Sequence, residues 1–224
     1  VARLKQNVED EIGILTEIEH FSWIVFLPMN DGCGAYNRYF GRLSDGSVKV
    51  RGIAARRHDT PEFIRSMQGA MLEVMAGAGS IAALTGKEEV IRNIFCTAVR
   101  QLPDADPRAL VIHRRISRLT YAHRCLEGAA VQAYRDRGIE IAPGMKIGYI
   151  VRDARRYAVD TEWDAAGFDL LYYQNLLEKA WEEIAFAFQG IFPKRKNKNQ
   201  ELCGFPKKRP AASNIHCLDE RSHV

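Results

Sequence analysis

Two clusters of arginine interleaved with aromatic rings carry the chemistry that this sequence offers. The first lies between Gly34 and Pro61 and includes Tyr36, Arg38, Tyr39, Arg42, Lys49, Arg51, Arg56 and Arg57. The second, residues 108–124, holds Arg108, Arg114, Arg115, Arg118 and Arg124 with His113, Tyr121 and His123, and contains no aspartate or glutamate. Guanidinium groups make charge-assisted hydrogen bonds to phosphate, and flat rings offer a face to sugar or base. An ordinary surface mixes both signs of charge, so a single-sign stretch of this length points to an anionic partner. Within it, Ile112, Ile116 and Leu119 are spaced to anchor the backbone, while Ser117, Thr120 and Tyr121 present hydroxyls beside the arginines. The competing reading of either cluster is a solvated, arginine-rich surface.

The elements that must position these residues follow from pattern. Leu4 to Glu11 reads as the end of a helix. An extended apolar run ends at Leu27, and Pro28 and Asn30-Asp31-Gly32 stop it. Alternating Tyr36, Arg38 and Phe40 lead into a Ser44-Asp45-Gly46-Ser47 turn, and Val48 and Val50 lead out, which predicts a β-hairpin. Residues 21–27 are apolar on both faces, so this strand calls for neighbours on both sides. Asp59-Thr60-Pro61-Glu62 is a helix start. Helical spacing then continues through Met67, Met71 and Met75, which are expected in the core. Further helices are expected over about Lys87–Gln101, 122–137 and 169–188, with a turn and strand over Glu140–Val151. The fold class is therefore α+β: a small antiparallel sheet of a strand plus a β-hairpin, a mainly helical lobe, and a basic tail expected to be disordered.

Composition narrows the rest. The 224 residues, 46% hydrophobic, suffice for one or two cored domains. No apolar run is long enough for a membrane span, and Val1 to Gln6 has no signal-like apolar region, so a cytoplasmic protein without membrane partners is expected. A start on Val1 suggests an unusual start codon or an incomplete N-terminus. The five cysteines are odd in number and widely spaced, which argues against a disulfide framework or zinc site. They are expected to be packing residues. The net charge of +4 is supplied by residues 189–224, which carry eight lysines and arginines against three acids, so the remaining residues are nearly neutral. Local clustering, not overall charge, carries the argument for nucleic acid.

Four segments, in order, resemble archaeal family B DNA polymerases over roughly residues 12–188. Tyr36 to Tyr39 followed by Val50-Arg51-Gly52-Ile53 and Arg56-Arg57-His58-Asp59 resembles the family's aromatic-basic element after its palm motif. Ile116-Ser117-Arg118 resembles the start of the thumb. Pro143-Gly144-Met145-Lys146-Ile147-Gly148-Tyr149-Ile150 and Asp169-Leu170-Leu171-Tyr172-Tyr173 resemble later thumb blocks, and the details are similar to versions from methanogens. The chain departs from the pattern at Asn37, where a lysine is usual, and at Ala54, where a glutamate is usual. The first weakens an expected primer contact, and the second puts one internal salt bridge in doubt.

The resemblance implies an end of a palm over 1–60, a helical thumb over 61–188, and a tail over 189–224. It implies a grip on double-stranded primer–template DNA through Tyr36, Arg38, Tyr39, Arg51, Arg56, Arg57, Arg114, Arg115, Arg118, Tyr121, His123 and Tyr149. It also implies Mg²⁺-dependent nucleotide transfer in the complete polymerase, where palm aspartates hold two ions. Those aspartates, the exonuclease carboxylates and the fingers are not in this sequence, so no catalytic residue is assigned and the chain is expected not to polymerise alone. Glu19 is similar to an accessory palm carboxylate near the metals; with Glu17 it shares one strand face, which otherwise reads as solvated. Two functions follow: a palm-and-thumb portion that completes a larger polymerase chain carrying the exonuclease, fingers and palm aspartates, or a freestanding duplex-binding protein. A decayed gene product is a third reading.

Overall fold

The structure is a computed structural model, and it describes residues 2–13, 15, 18–28 and 34–189. An N-terminal helix α1 (Ala2–Ile12) precedes three antiparallel strands, β1 (Phe21–Pro28), β2 (Gly34–Leu43) and β3 (Val48–Arg51), in the spatial order β1-β2-β3. Asp45 builds the expected hairpin turn by accepting from Ser47 N at 2.8 Å and Ser47 Oγ at 2.7 Å, while Gly46 supplies a φ of +89°. After a 3₁₀ turn at Ala54–Arg56 come α2 (Glu62–Ala76), the short α3 (Ile81–Thr85) and α4 (Glu88–Gln101).

A second sheet was not expected. Strand β4 (Ile112–Arg115) pairs with β5 (Lys146–Asp153), which pairs with β6 (Ala158–Thr161), all antiparallel; α5 (Leu126–Asp136) lies between β4 and β5 in sequence, and α6 (Leu170–Gln189) ends the described chain. The α+β class holds, with two three-stranded sheets instead of one. The four-residue strands β4 and β6 are too short, and β4 too arginine-rich, for alternation to reveal them. α5 begins at Leu126, not near residue 122. The extended Cys125 (φ −151°, ψ 163°) caps it, its sulfur accepting from Gly128 N at 3.3 Å.

Two cores result. The first joins the inner face of β1–β3 to α2, α4 and the later part of α6, with Leu27, Phe40, Ile53, Met71, Met75, Ile91 and Ile184 fully buried and Phe95 stacked on Trp181 at 5.0 Å. The methionines fill it as expected. Trp23 turns its indole inward and donates to Ala76 O at 2.8 Å, whereas Phe26 on the opposite face of β1 stays 53% exposed. The second core lies between β4–β6, α5 and the start of α6, where Tyr134 donates to Gly148 O at 2.9 Å and the Tyr173 hydroxyl oxygen accepts from Val151 N at 3.0 Å. α6 contributes to both. One expectation on cysteine is corrected: Cys96 is disulfide-bonded, while Cys125 is a free thiol. Cysteine spacing along a sequence does not by itself give the pairing. Among the described residues no helix is long and apolar enough to cross a membrane.

Candidate nucleic-acid interface

The first arginine cluster is fixed by a backbone turn and a buried polar hub. Gly52 leaves β3 with φ +71°, and Ile53 then plugs the first core. Ala54 N donates to Glu183 Oε2 at 2.7 Å, and the same carboxylate accepts from Gln68 Nε2 at 3.2 Å. Fully buried Gln68 also donates to Ala180 O at 2.8 Å and accepts from Ala55 N. Glu183 forms an ion pair with Arg57 and lies 3.9 Å from Arg38. The sequence reading missed this residue, although a carboxylate was the group whose absence at Ala54 stood out. Arg57 is thus held at its acidic partner with its side chain still more than half exposed, while Arg56 points to solvent. Truncating Glu183 to alanine would strand the Ala54 amide and one Gln68 donor. A loss of about 2 kcal/mol in the urea unfolding free energy is expected, and less for Glu183→Gln, which keeps an acceptor.

Arg51 is exposed and sits across the hairpin from Tyr39, whose ring packs edge-on against Phe21 and Phe26, both at 5.8 Å. Tyr36 is 86% exposed. Glu19 forms an ion pair with Lys49. Among the described residues no group of three potential metal ligands comes together, and Glu17 lies outside them, as does the basic tail.

In the second cluster, strand alternation separates neighbours. Arg114 turns to Asp59 Oδ2 at 3.0 Å and Glu127 Oε1 at 3.1 Å and shares a hydrogen bond with Tyr149. Partial burial pulls its pKa down, but Glu127 and Asp59 outweigh this and raise it, so the charge is secure. Tyr149 is only 3% exposed, and burial pushes its hydroxyl pKa up. Its expected place facing DNA is therefore corrected: it lies in the core, where it supports Arg114. Arg115 sits opposite Lys146, and neither has an acidic partner among the described residues. Arg118 lies over the Tyr121 ring at 5.7 Å. Tyr121 and His123 line a cavity of about 510 Å³ at the start of α5.

His113 is held below its ordinary pKa of 6.5 by burial first and then by Lys146 and Arg65, with Glu162 opposing. The native imidazole thus resists protonation more than the unfolded one. Its contribution to stability is complete above pH 6.5 and is lost as pH falls from there toward the depressed native value. The thermal unfolding midpoint is expected to fall in that window, and His113→Gln to flatten the fall.

The Asp59–Arg114 contact brings the two clusters together. Asp59 follows Arg56 by three residues and Arg57 by two, so the loop after β3 is tied directly to β4. Arg65, in the first turns of α2, is close enough to influence His113. The junction gathers guanidinium and imidazole donors, equipment for holding an anionic polymer.

No protein-family model matches the chain. Its sequence is 31% identical over 153 residues to DNA polymerase 2 of Aeropyrum pernix, an alignment covering 67% of this chain and 18% of the relative. It is 27% identical over 164 residues to a DNA polymerase of Pyrococcus horikoshii, covering 64% and 12%, and 30% identical over 155 residues to one of Thermococcus sp. strain GE8, covering 64% and 9%. The chain thus spans less than a fifth of the length of these curated relatives. Its fold is similar to the family B DNA polymerase of Pyrobaculum calidifontis, with a TM-score of 0.55 at 20% identity, covering 87% of this chain and 25% of that one. The arginine-bearing junction therefore belongs to a chain whose sequence relatives are archaeal DNA polymerases and whose fold matches about a quarter of a family B polymerase.

Proposed function

We propose that this chain is the end of the palm and the thumb of a family B DNA polymerase, holding primer–template duplex through its phosphates while the catalytic aspartates are supplied from outside these residues. The division into 1–60 and 61–188 and the likeness to methanogen versions belong to this reading and rest on the motifs. The observation that carries it is the Asp59–Arg114 contact, which ties together two arginine-bearing segments distant in sequence. A sequence-independent grip needs cations spread along the path of a backbone, with no base-reading geometry. Any Mg²⁺ would be bound by the complete polymerase, with Glu19 near it at most as an accessory group. β1 is an edge strand of its sheet, and a larger palm sheet would continue from it.

The test is primer extension with the chain alone, a polymerase chain carrying the palm aspartates alone, and both together. Activity confined to the mixture is expected. Duplex binding with no effect on extension would favour the freestanding binder instead.

A further inference from the structure

We propose that the cavity at the start of α5 is a pocket for one unpaired nucleotide, with its base against the rings of Tyr121 and Tyr157 and its phosphate on Arg135 and His123. This goes beyond the duplex grip and does not depend on it. The cavity, about 510 Å³, has the size of a small-molecule site and opens to solvent. His123, Arg124 and Arg135 line it together with the two tyrosines, and no aspartate or glutamate does. Glu127, the acid nearest in sequence, is engaged with Arg114. Both rings already carry a cation: Arg118 lies 5.7 Å from the Tyr121 centroid and Arg124 5.9 Å from that of Tyr157. Arg124 also donates to Arg156 O at 3.3 Å, which fixes its position.

Tyr157 supplies the independent observation. It is the one non-glycine residue with positive φ among the described residues, at +56° in the turn joining β5 to β6. That backbone region favours glycine or asparagine, and a bulky ring is strained there. Burial does not explain its presence, because the residue is 40% exposed. The strained turn holds the ring at the cavity wall. A ring face beside cations, without an acid, suits a ligand that is both aromatic and anionic. Bases inside a duplex have their faces covered by stacking, so the matching ligand is a free nucleotide or an unpaired one at a strand end.

The two sources separate in one experiment on the full chain. Fluorescence polarisation would follow a short labelled oligothymidylate and a labelled duplex, with dTMP and inorganic phosphate as competitors. Tyr157→Gly and Arg135→Ala are each expected to weaken oligothymidylate binding about tenfold while duplex binding changes less than about twofold. Tyr157→Gly also relieves the positive φ, so it should melt no lower than the native chain, which rules out misfolding as the cause. Competition by dTMP assigns the pocket to a free nucleotide, and competition only by the oligomer assigns it to a strand end. Inorganic phosphate competing as well as dTMP, or variants that weaken both DNA ligands equally, would overturn the proposal. Failure of the duplex grip alone would show as loss of duplex binding with the oligothymidylate result intact.

Discussion

Gly52→Ala is expected to destabilise the protein by about 3 kcal/mol or more, measured as a shift in urea unfolding followed by circular dichroism. Two independent penalties fall on this position. Its φ of +71° is uncomfortable for any residue with a side chain, which costs on the order of 1 kcal/mol. A methyl group there would also sit 2.2 Å from Asn37 O and 2.9 Å from Arg38 Cγ. The carbonyl belongs to β2, so relief requires moving the strand and not merely rotating a side chain. Gly46→Ala provides the control. It has φ +89° but nothing within 4 Å of the added atom, so only the conformational cost of about 1 kcal/mol remains. If the two variants lose equal stability, the close approach contributes nothing and the explanation fails. The Arg-Gly-Ile run in the sequence thus has a mechanical origin: only glycine lets the chain turn against β2 and present Arg56 and Arg57.

The second large effect concerns binding. Arg115→Ala with Arg118→Ala should weaken duplex affinity roughly thirtyfold at about 0.15 M salt and reduce the slope of log affinity against log salt by about 2, equally for all sequences. Neither side chain has an acidic partner among the described residues, so removing them should change stability little. Arg114→Ala should behave oppositely. Its guanidinium ties Asp59 to Glu127 across the junction, and its loss should lower the unfolding midpoint more than the salt slope. A loss of affinity that varied strongly with duplex sequence would contradict a phosphate grip.

How much was legible beforehand depended on whether the signal was local. The hairpin turn at Ser44–Ser47, the start of α2 beside Pro61 and the methionine-lined face of that helix are written within a few residues, because turn chemistry and helical spacing act over that range. The arginine clusters were equally plain as composition. β4 and β6 were not, since each is four residues long and takes its conformation from pairing with β5. Tyr149 looked like a surface aromatic in its motif, yet it sits on a strand covered from both sides. Nothing in the order of residues placed Glu183 under Ala54, because that contact closes a separation of 129 residues.

The sequence by itself determined the first hairpin, the main helices, the two positively charged stretches and the polymerase resemblance, since these depend on short-range periodicity and residue type. Only the tertiary structure decided which arginines are spent on internal acids, Arg57 on Glu183 and Arg114 on Asp59 and Glu127, and which meet no acid among the described residues, Arg56, Arg115 and Arg118. The reason is physical. A guanidinium is available only when folding has brought no carboxylate to it, and that depends on chain segments far apart in sequence meeting in space.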